Sequence, residues 1–128
     1  MCIRDSYYAA YEHAINTIGA RNRGRGVYAG DGVSVKLSAL HPRFTRSQRE
    51  RVLRELVPRV LALARLARSY DIGFNLDAEE ADRLELALEI LARLAAETTL
   101  ANWNGLGFVV QAYQKRARAV VDLSLIHI

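Results

Sequence analysis

The feature of this sequence that most constrains its fold is the alternation of short strand-like runs with longer helical segments. Three runs carry apolar residues at every second position: Val33–Leu40, Ile72–Asp77 and Gly107–Ala112. Between them lie two segments with helical periodicity, Arg46–Ser69 and Glu79–Ala96. Strands that alternate with helices in this way pair in parallel through right-handed crossovers. We therefore expect an α/β sheet.

Further elements are predicted around this series. An apolar stripe at three- and four-residue steps predicts a helix over Tyr7–Ile18, with Gly19 ending it. The stretch 20–32 is rich in Gly and Arg and is expected to be a loop. A short last helix is expected to begin near Lys115. Two helix caps are also predicted from spacing, Thr45 with Gln48 and Asp77 with Glu80.

Each predicted strand has one apolar side and one side of small or polar residues. The apolar side suits packing beneath helices, and the other side requires an unusual environment. A closed barrel of parallel strands provides one, because inward side chains fill its interior and line a site at the C-terminal strand ends. A (βα)₈ barrel of the TIM type needs about 250 residues. We therefore expect an incomplete barrel: its first three parallel strands with their helices, preceded by one helix.

The last inward residues of the three strands are Lys36 (or Ser38, one step further on), Asp77 and Gln111. The Lys36 ammonium would hold a substrate carboxylate. The Asp77 carboxylate would accept a hydrogen bond from a substrate amine or orient it. A carboxamide would hydrogen-bond a planar heterocycle. The pattern leaves structural interpretations open: Asp77 as a helix N-cap, Lys36 as an interior lysine paired with Asp77, and Gln111 as a satisfied polar group in the barrel core.

The composition excludes several other classes of site. The single cysteine, Cys2, excludes a disulfide framework and a cysteine-based zinc site within this sequence. His13, His41 and His127 lack metal-ligand spacing, so no metal is expected. For His41, a hydrogen bond within its loop is favoured over a place at the barrel mouth. The lone cysteine makes a reducing, cytoplasmic setting the expected one. No apolar run reaches the roughly 18 residues of a transmembrane candidate.

The basic residues are concentrated in the first part of the sequence. Residues 1–70 carry 13 Arg and Lys against five Asp and Glu, whereas residues 71–128 carry five against nine. Many of the arginines fall on one helix that also has a broad apolar stripe and two interrupting glutamates. A solvated outer face is therefore favoured over a nucleic-acid surface. RNA binding through Arg21, Arg23 and Arg25 is kept as the rival interpretation.

The two ends do not follow the periodicity of the segments that adjoin them. We expect residues 1–6 and 123–128 to be non-native sequence and place the domain at residues 7–122.

Three long motifs carry a family resemblance. They are SVKLSALHPRF over 34–44, GFNLDAEEADRLE over 73–85 and WNGLGFVVQAYQKR over 103–116. Together they resemble the proline dehydrogenase domain of bacterial bifunctional proline utilisation (PutA) proteins. The resemblance runs from Tyr7 to Asp122.

The resemblance implies a flavoenzyme on a (βα)₈ barrel that oxidises L-proline to Δ1-pyrroline-5-carboxylate. A hydride would pass to FAD and electrons then to a membrane quinone. By motif position, Lys36 corresponds to the residue that meets the proline carboxylate, and Asp77 to the active-site aspartate. Ala78, through its backbone, and Gln111 correspond to FAD contacts.

The resemblance also sets limits. The arginines that the family brings to the flavin and to the substrate carboxylate have no match here, so we expect this chain alone neither to retain FAD nor to oxidise proline. The full-length protein is expected in the cytoplasm, at the inner face of the membrane. The alternatives are another barrel enzyme acting on a small amino or carboxylic acid, and a basic RNA- or DNA-binding module.

Overall fold

Three parallel strands form one sheet in a computed structural model that describes residues 2–127 and the side chains of residues 2–124. The strands are β1 (Gly32–Val35), β2 (Gly73–Leu76) and β3 (Leu106–Phe108), and β2 lies in the centre. Val35 pairs with Leu76, and Leu76 pairs with Phe108. The expected α/β architecture, part of a barrel of parallel strands, is confirmed.

Helices precede, connect and follow these strands. Within residues 2–127 they are α1 (Ile3–Asn22), α2 (Gly26–Ala29), α3 (Leu37–Leu40), α4 (Arg49–Ser69), α5 (Leu84–Ala95) and α6 (Ala117–His127). Short 3₁₀ turns occupy Arg46–Gln48, Ala81–Arg83 and Thr98–Leu100. In this part of the chain no helix combines the length and apolar character needed to cross a membrane.

The core lies between one face of the sheet and the connecting helices. Val35, Phe74 and Leu76 are completely buried on that face, as the alternation predicts. They pack with the apolar stripes of the two long connecting helices, among them Val52, Leu56, Val60 and Leu63 from α4 and Ile90 and Leu94 from α5. The opposite face carries small and polar residues, and it leaves the strand ends open for a site.

The first strand is shorter than predicted. The sequence pattern extends it to Leu40, but the structure ends it at Val35 and forms the helical turn α3 from Leu37 onward. Leu37 and Leu40 are both completely buried. Residues three apart share one side of a helix, so a helical turn buries this pair, whereas a strand would place the two on opposite faces.

Both predicted helix caps are wrong. Helix α5 begins at Leu84 rather than Glu79, and neither its preceding turn nor the one before α4 has a side-chain cap. The Thr45 hydroxyl contacts the Ser47 hydroxyl at 3.0 Å, and the Asp77 carboxylate accepts the neighbouring Ala78 N–H at 3.0 Å. Both side chains therefore form hydrogen bonds with groups nearer in sequence than the predicted capping partners. The interpretation of Asp77 as an N-cap is excluded.

Helix α1 is longer than predicted at both ends. It begins at Ile3 rather than Tyr7 and continues through Gly19 to Asn22, where Arg23 adopts a left-handed conformation with φ of 49°. Its first turn is docked, because Arg4 Nη1 donates to the Ser38 carbonyl at 2.9 Å. The domain limits of 7–122 and the non-native origin of residues 1–6 and 123–128 stay predictions, and positions 1 and 128 lie outside the described residues.

Gly19 is required for packing rather than for helix termination. A Cβ at this position would lie 2.2 Å from Tyr70 Cγ, and the Tyr70 ring is held by a 2.8 Å hydrogen bond from its hydroxyl to Asn16 Oδ1. We expect Gly19→Ala to lower the free energy of unfolding by about 1–3 kcal/mol, although alanine is the better helix former.

Urea denaturation of the single variants and of Gly19→Ala/Tyr70→Ala measures this loss. The double variant is expected to lose less stability than the sum of the single losses, because the clash partner is gone. Simple additivity, or an unchanged unfolding midpoint in Gly19→Ala, would contradict the packing argument.

Candidate functional site

Two of the three residues predicted at the strand ends lie side by side. Lys36 directly follows β1 and Asp77 directly follows β2. Because Val35 pairs with Leu76, the next residues on the two strands are level. The Asp77 N–H also donates to the Val35 carbonyl at 2.9 Å, which continues the ladder by one step. A cationic and an anionic residue therefore stand level at the ends of two neighbouring strands.

The third predicted residue lies beyond its strand. Strand β3 ends at Phe108 rather than at Ala112, and Gln111 belongs to a turn before α6. There its carbonyl accepts the Gln114 N–H at 3.0 Å, and its side-chain oxygen accepts the Gln114 amide. Within the described residues β3 is an edge strand, so the segment after Phe108 has a partner on one side only and closes into a turn.

All four residues singled out by the sequence nevertheless border one mouth. One cavity at the strand ends is lined by Asp77, Ala78 and Gln111. A wider, more open cavity beside it is lined by Lys36, Ala78 and Gln111, with Tyr113 at its rim. Ala78 and Gln111 line both cavities, so the two are adjacent, and together they are called the mouth here. The mouth thus offers an ammonium, a carboxylate, a carboxamide and backbone groups to one ligand.

The Lys36 ammonium is available at this mouth. Within the described part of the chain no ion pair or hydrogen bond engages it, and Lys36 and Asp77 form no ion pair. The interpretation of Lys36 as an interior lysine paired with Asp77 is therefore wrong in this structure. The Lys36 backbone is held instead, because its N–H donates to the Tyr11 hydroxyl of α1 at 3.1 Å.

Sequence reasoning missed Glu79, which it assigned to the first turn of a helix. The side chain of Glu79 is only 10% exposed and lines both cavities. Its carboxylate accepts the Ser38 N–H at 3.2 Å and the Ser38 hydroxyl, and Arg83 Nη1 lies 3.5 Å away. One signal was present: Ser38 and Glu79 each lie two residues beyond the paired positions 36 and 77.

His41 forms the loop hydrogen bonds that the sequence favours. It is buried, its Nε2 contacts Glu55 at 2.8 Å, and its Nδ1 accepts the Arg43 N–H at 3.1 Å. The hydrogen bond with His41, assisted by Arg51, lowers the pKa of Glu55 below its usual value. His41 lines neither cavity at the mouth, so it holds the loop between α3 and α4.

Most arginines of α4 form ion pairs or hydrogen bonds with other groups of this chain. Five of the six bond to groups of this chain: Arg49 to Glu50 and Glu89, Arg51 to Glu55, Arg59 to Asp5, Arg65 to Glu97 and Thr99, and Arg68 to the carbonyls of Thr99 and Ala101. Arg51 pairs within α4, and the other four guanidinium groups reach neighbouring helices and turns, so together they form a structural outer surface. Among the side chains of residues 2–124, no three from His, Cys, Asp or Glu gather where they could hold a metal ion.

Gln111 and Ala78 offer polar groups that fit the edge of a planar heterocycle. The carboxamide supplies a donor beside backbone groups at the same mouth. The Ala78 N–H is already bonded to Asp77, so in this conformation a ligand contact from Ala78 uses its carbonyl. On the face leading to the mouth, Gly107 lies directly beneath the Asn75 amide, since a Cβ there would be 1.9 Å from Asn75 Oδ1. The donor set fits a flat, polar-edged cofactor with an anionic substrate alongside.

Comparison with known proteins gives a consistent result. The family model described as "Proline dehydrogenase" matches residues 3–126. The "Bifunctional protein PutA" of Salmonella typhimurium is 57% identical over 117 residues, which are 91% of this chain and 9% of that protein. The protein of the same name from Rhizobium meliloti is 58% identical over 118 residues, 92% of this chain and 9% of its own length.

Solved structures agree with the sequence matches. A structure titled as proline utilization A (PutA) with proline bound in remote sites superposes with a TM-score of 0.95 at 48% identity, covering 98% of this chain and 13% of that one. A Bradyrhizobium japonicum Proline Utilization A (PutA) mutant gives 0.93 at 49% identity, covering 95% and 13%. The chain thus spans about a tenth of the length of the proteins it matches.

Proposed function

This chain belongs to the proline dehydrogenase family, and we propose that it is part of an enzyme that oxidises L-proline to Δ1-pyrroline-5-carboxylate with hydride transfer to FAD. The observation that carries the proposal is the juxtaposition of Lys36 and Asp77 at level strand ends, with Ala78 and Gln111 at the same mouth. Oxidation of a small amino acid requires groups that bind its carboxylate and amine beside a cofactor, and these four residues supply groups of those types.

The two charged residues are complementary to the substrate. Proline carries a carboxylate next to a secondary amine, and the exposed Lys36 ammonium is a compact partner for the carboxylate. Asp77, one strand away, orients the amine or keeps the lysine side chain in place. Because both side chains stand on paired strands, the substrate would be held in a single pose, which turns an encounter into a nearly unimolecular reaction.

Gln111 and Ala78 would hold FAD, with Gln111 offering its amide and Ala78 its carbonyl to the edge of the ring. When bound, FAD supplies the hydride acceptor. The protein groups at the mouth determine where the substrate carbon stands relative to that ring. In the whole protein we propose a membrane quinone as the final electron acceptor and a cytoplasmic location at the inner membrane face, both as the family implies.

A chimera tests the proposed function. This chain's matched segment replaces the corresponding 117 residues of the Salmonella typhimurium relative, after flavin reduction by proline has been measured in that relative. We expect a yellow protein whose flavin absorbance is bleached by L-proline. The 128-residue chain alone is expected to retain no FAD and to show no proline oxidation, because three strands cannot close a barrel.

Two results would contradict this proposal. A folded, flavin-loaded chimera that is bleached by other cyclic imino acids but not by proline would favour a different barrel enzyme. A yellow, proline-reducible preparation of the isolated chain would refute the expectation that the segment is inactive alone.

A further inference from the structure

We propose that Glu79 is a positioning residue that fixes the relative placement of Lys36 and Asp77 by bonding Ser38 across the strand ends. The inference rests on the proposed function, since it concerns the pair of side chains that would meet the substrate. It concerns a residue that itself needs no contact with substrate or cofactor.

The backbone ladder between β1 and β2 stops just where the functional residues begin. The last backbone hydrogen bond between the two strands in the described residues is the one from Asp77 N–H to the Val35 carbonyl. Beyond it the chains separate, β1 into the helical turn α3 and β2 into the segment before α5. No backbone hydrogen bond in the described residues ties the segment after Lys36 to the segment after Asp77.

The Glu79 carboxylate supplies that link. Ser38 is two residues after Lys36 and Glu79 is two residues after Asp77, so the contact joins equivalent positions on neighbouring strands. Both Ser38 donors, the N–H and the hydroxyl, go to this one carboxylate. Charge-assisted hydrogen bonds of this kind are the strong ones, and near-complete burial protects this carboxylate from competing water.

Lys36 is thereby held from two sides. On the side away from β2, its N–H donates to the Tyr11 hydroxyl of α1. On the other side, the Ser38–Glu79 contact ties the following turn to the end of β2. The long lysine side chain stays free to meet an anion while its backbone is fixed. This arrangement is what a substrate anchor needs, because the position of the charge is set before binding.

Glu80 offers a matched control for Glu79. Both glutamates reach the same arginine, since Arg83 Nη1 lies 3.5 Å from Glu79 and 3.2 Å from Glu80. The Glu80 side chain is 69% exposed, and no hydrogen bond joins it to Ser38 in the described residues. An effect that depends only on losing a negative charge beside Arg83 would appear in both variants, whereas an effect of the Ser38 contact would appear in one.

The kinetic test uses the flavin-loaded chimera. Glu79→Gln keeps the size of the side chain but removes its charge and replaces one of the two acceptor oxygens that Ser38 uses with an amide nitrogen. We expect kcat/KM for L-proline to fall by about 100-fold, with part of the loss in KM because the carboxylate anchor moves. Ser38→Ala removes only the hydroxyl donor and should lose about tenfold, while Glu80→Gln stays within about twofold of the parent. The double variant Glu79→Gln/Ser38→Ala should be clearly less than additive.

A second readout is independent of activity. Amide hydrogen exchange measured by NMR on the 128-residue chain should show faster exchange at Ser38 in Glu79→Gln and unchanged exchange in Glu80→Gln. If Glu79→Gln fails to fold, Ser38→Ala carries both measurements, because it deletes a single oxygen.

The outcomes separate this inference from the proposed function. An inactive parent chimera would overturn the proposed function. An active parent whose Glu79→Gln or Ser38→Ala variants keep the parental kinetics, with exchange at Ser38 accelerated, would reduce Glu79 to a structural contact and overturn this inference. Equal losses in Glu79→Gln and Glu80→Gln would overturn it as well.

Discussion

Replacing Asp77 with alanine in the flavin-loaded chimera is expected to lower the turnover of L-proline by about 100-fold or more while the protein stays folded. Asp77 stands level with Lys36 at the end of β2, so its removal takes away the acidic half of the charge pair proposed to hold the substrate. Within the described residues the only hydrogen bond of the Asp77 side chain is to the adjacent Ala78 N–H, and the residue is half-buried. Stopped-flow measurement of flavin reduction by proline, with a thermal melt alongside, measures both effects.

Asp82→Ala is the matched control for that experiment. Asp82 is an exposed carboxylate in the turn before α5, five residues after Asp77, and it lines neither cavity at the mouth. We expect it to leave turnover and melting temperature close to the parental values. Unchanged flavin reduction in Asp77→Ala, or an equal loss in both variants, would remove Asp77 from the proposed mechanism.

The order and type of the main elements could be predicted because each one buries a single face. A strand between helices must alternate, and a helix over a sheet must repeat its apolar residues every three or four positions. Helix α4 shows this directly, since its predicted extent of 46–69 matches the 3₁₀ turn and helix that the structure forms over those residues. The parallel pairing follows from the same alternation.

Element ends were predicted less well, because ends depend on contacts that distant residues supply. Gly19 reads as a helix stop, but helix α1 continues through it, and the missing side chain leaves room for the Tyr70 ring instead. Leu37 and Leu40 continue the apolar pattern of β1, yet they are buried by a helical turn. Asp77 has the spacing of a cap, but the backbone N–H beside it is the nearer partner.

The site residues also fall into two groups, those that could be placed from the sequence and those that could not. Lys36 and Asp77 could be placed together from the sequence, because residues that follow paired parallel strands are level. Tyr11 and Glu79 could not be linked to them in this way, since one comes from a helix 25 residues upstream and the other acts through Ser38. Placing Gln111 required the actual end of β3, and only the structure supplies it.

Phe74→Ala is expected to produce the largest loss of stability, about 3–5 kcal/mol in the free energy of unfolding. Phe74 is completely buried in the central strand, between the partners Val33 and Leu106. Truncating it removes a large apolar side chain and leaves a cavity that the flanking strands and α4 cannot close.

Phe108→Ala deletes the same atoms from the edge strand and serves as the control. Phe108 is only partly buried, so its truncation opens onto solvent and should cost clearly less. Urea unfolding followed by circular dichroism compares the two variants, and a preserved dependence on urea concentration would show that both still unfold from the same native state. Equal losses would mean that the apolar face of β2 is not the centre of the core. A much larger loss at Phe74 would indicate that packing of the central strand β2 contributes most to the stability of the sheet that carries the site. The difference would matter, because one or two kcal/mol is already a large share of a small domain's stability.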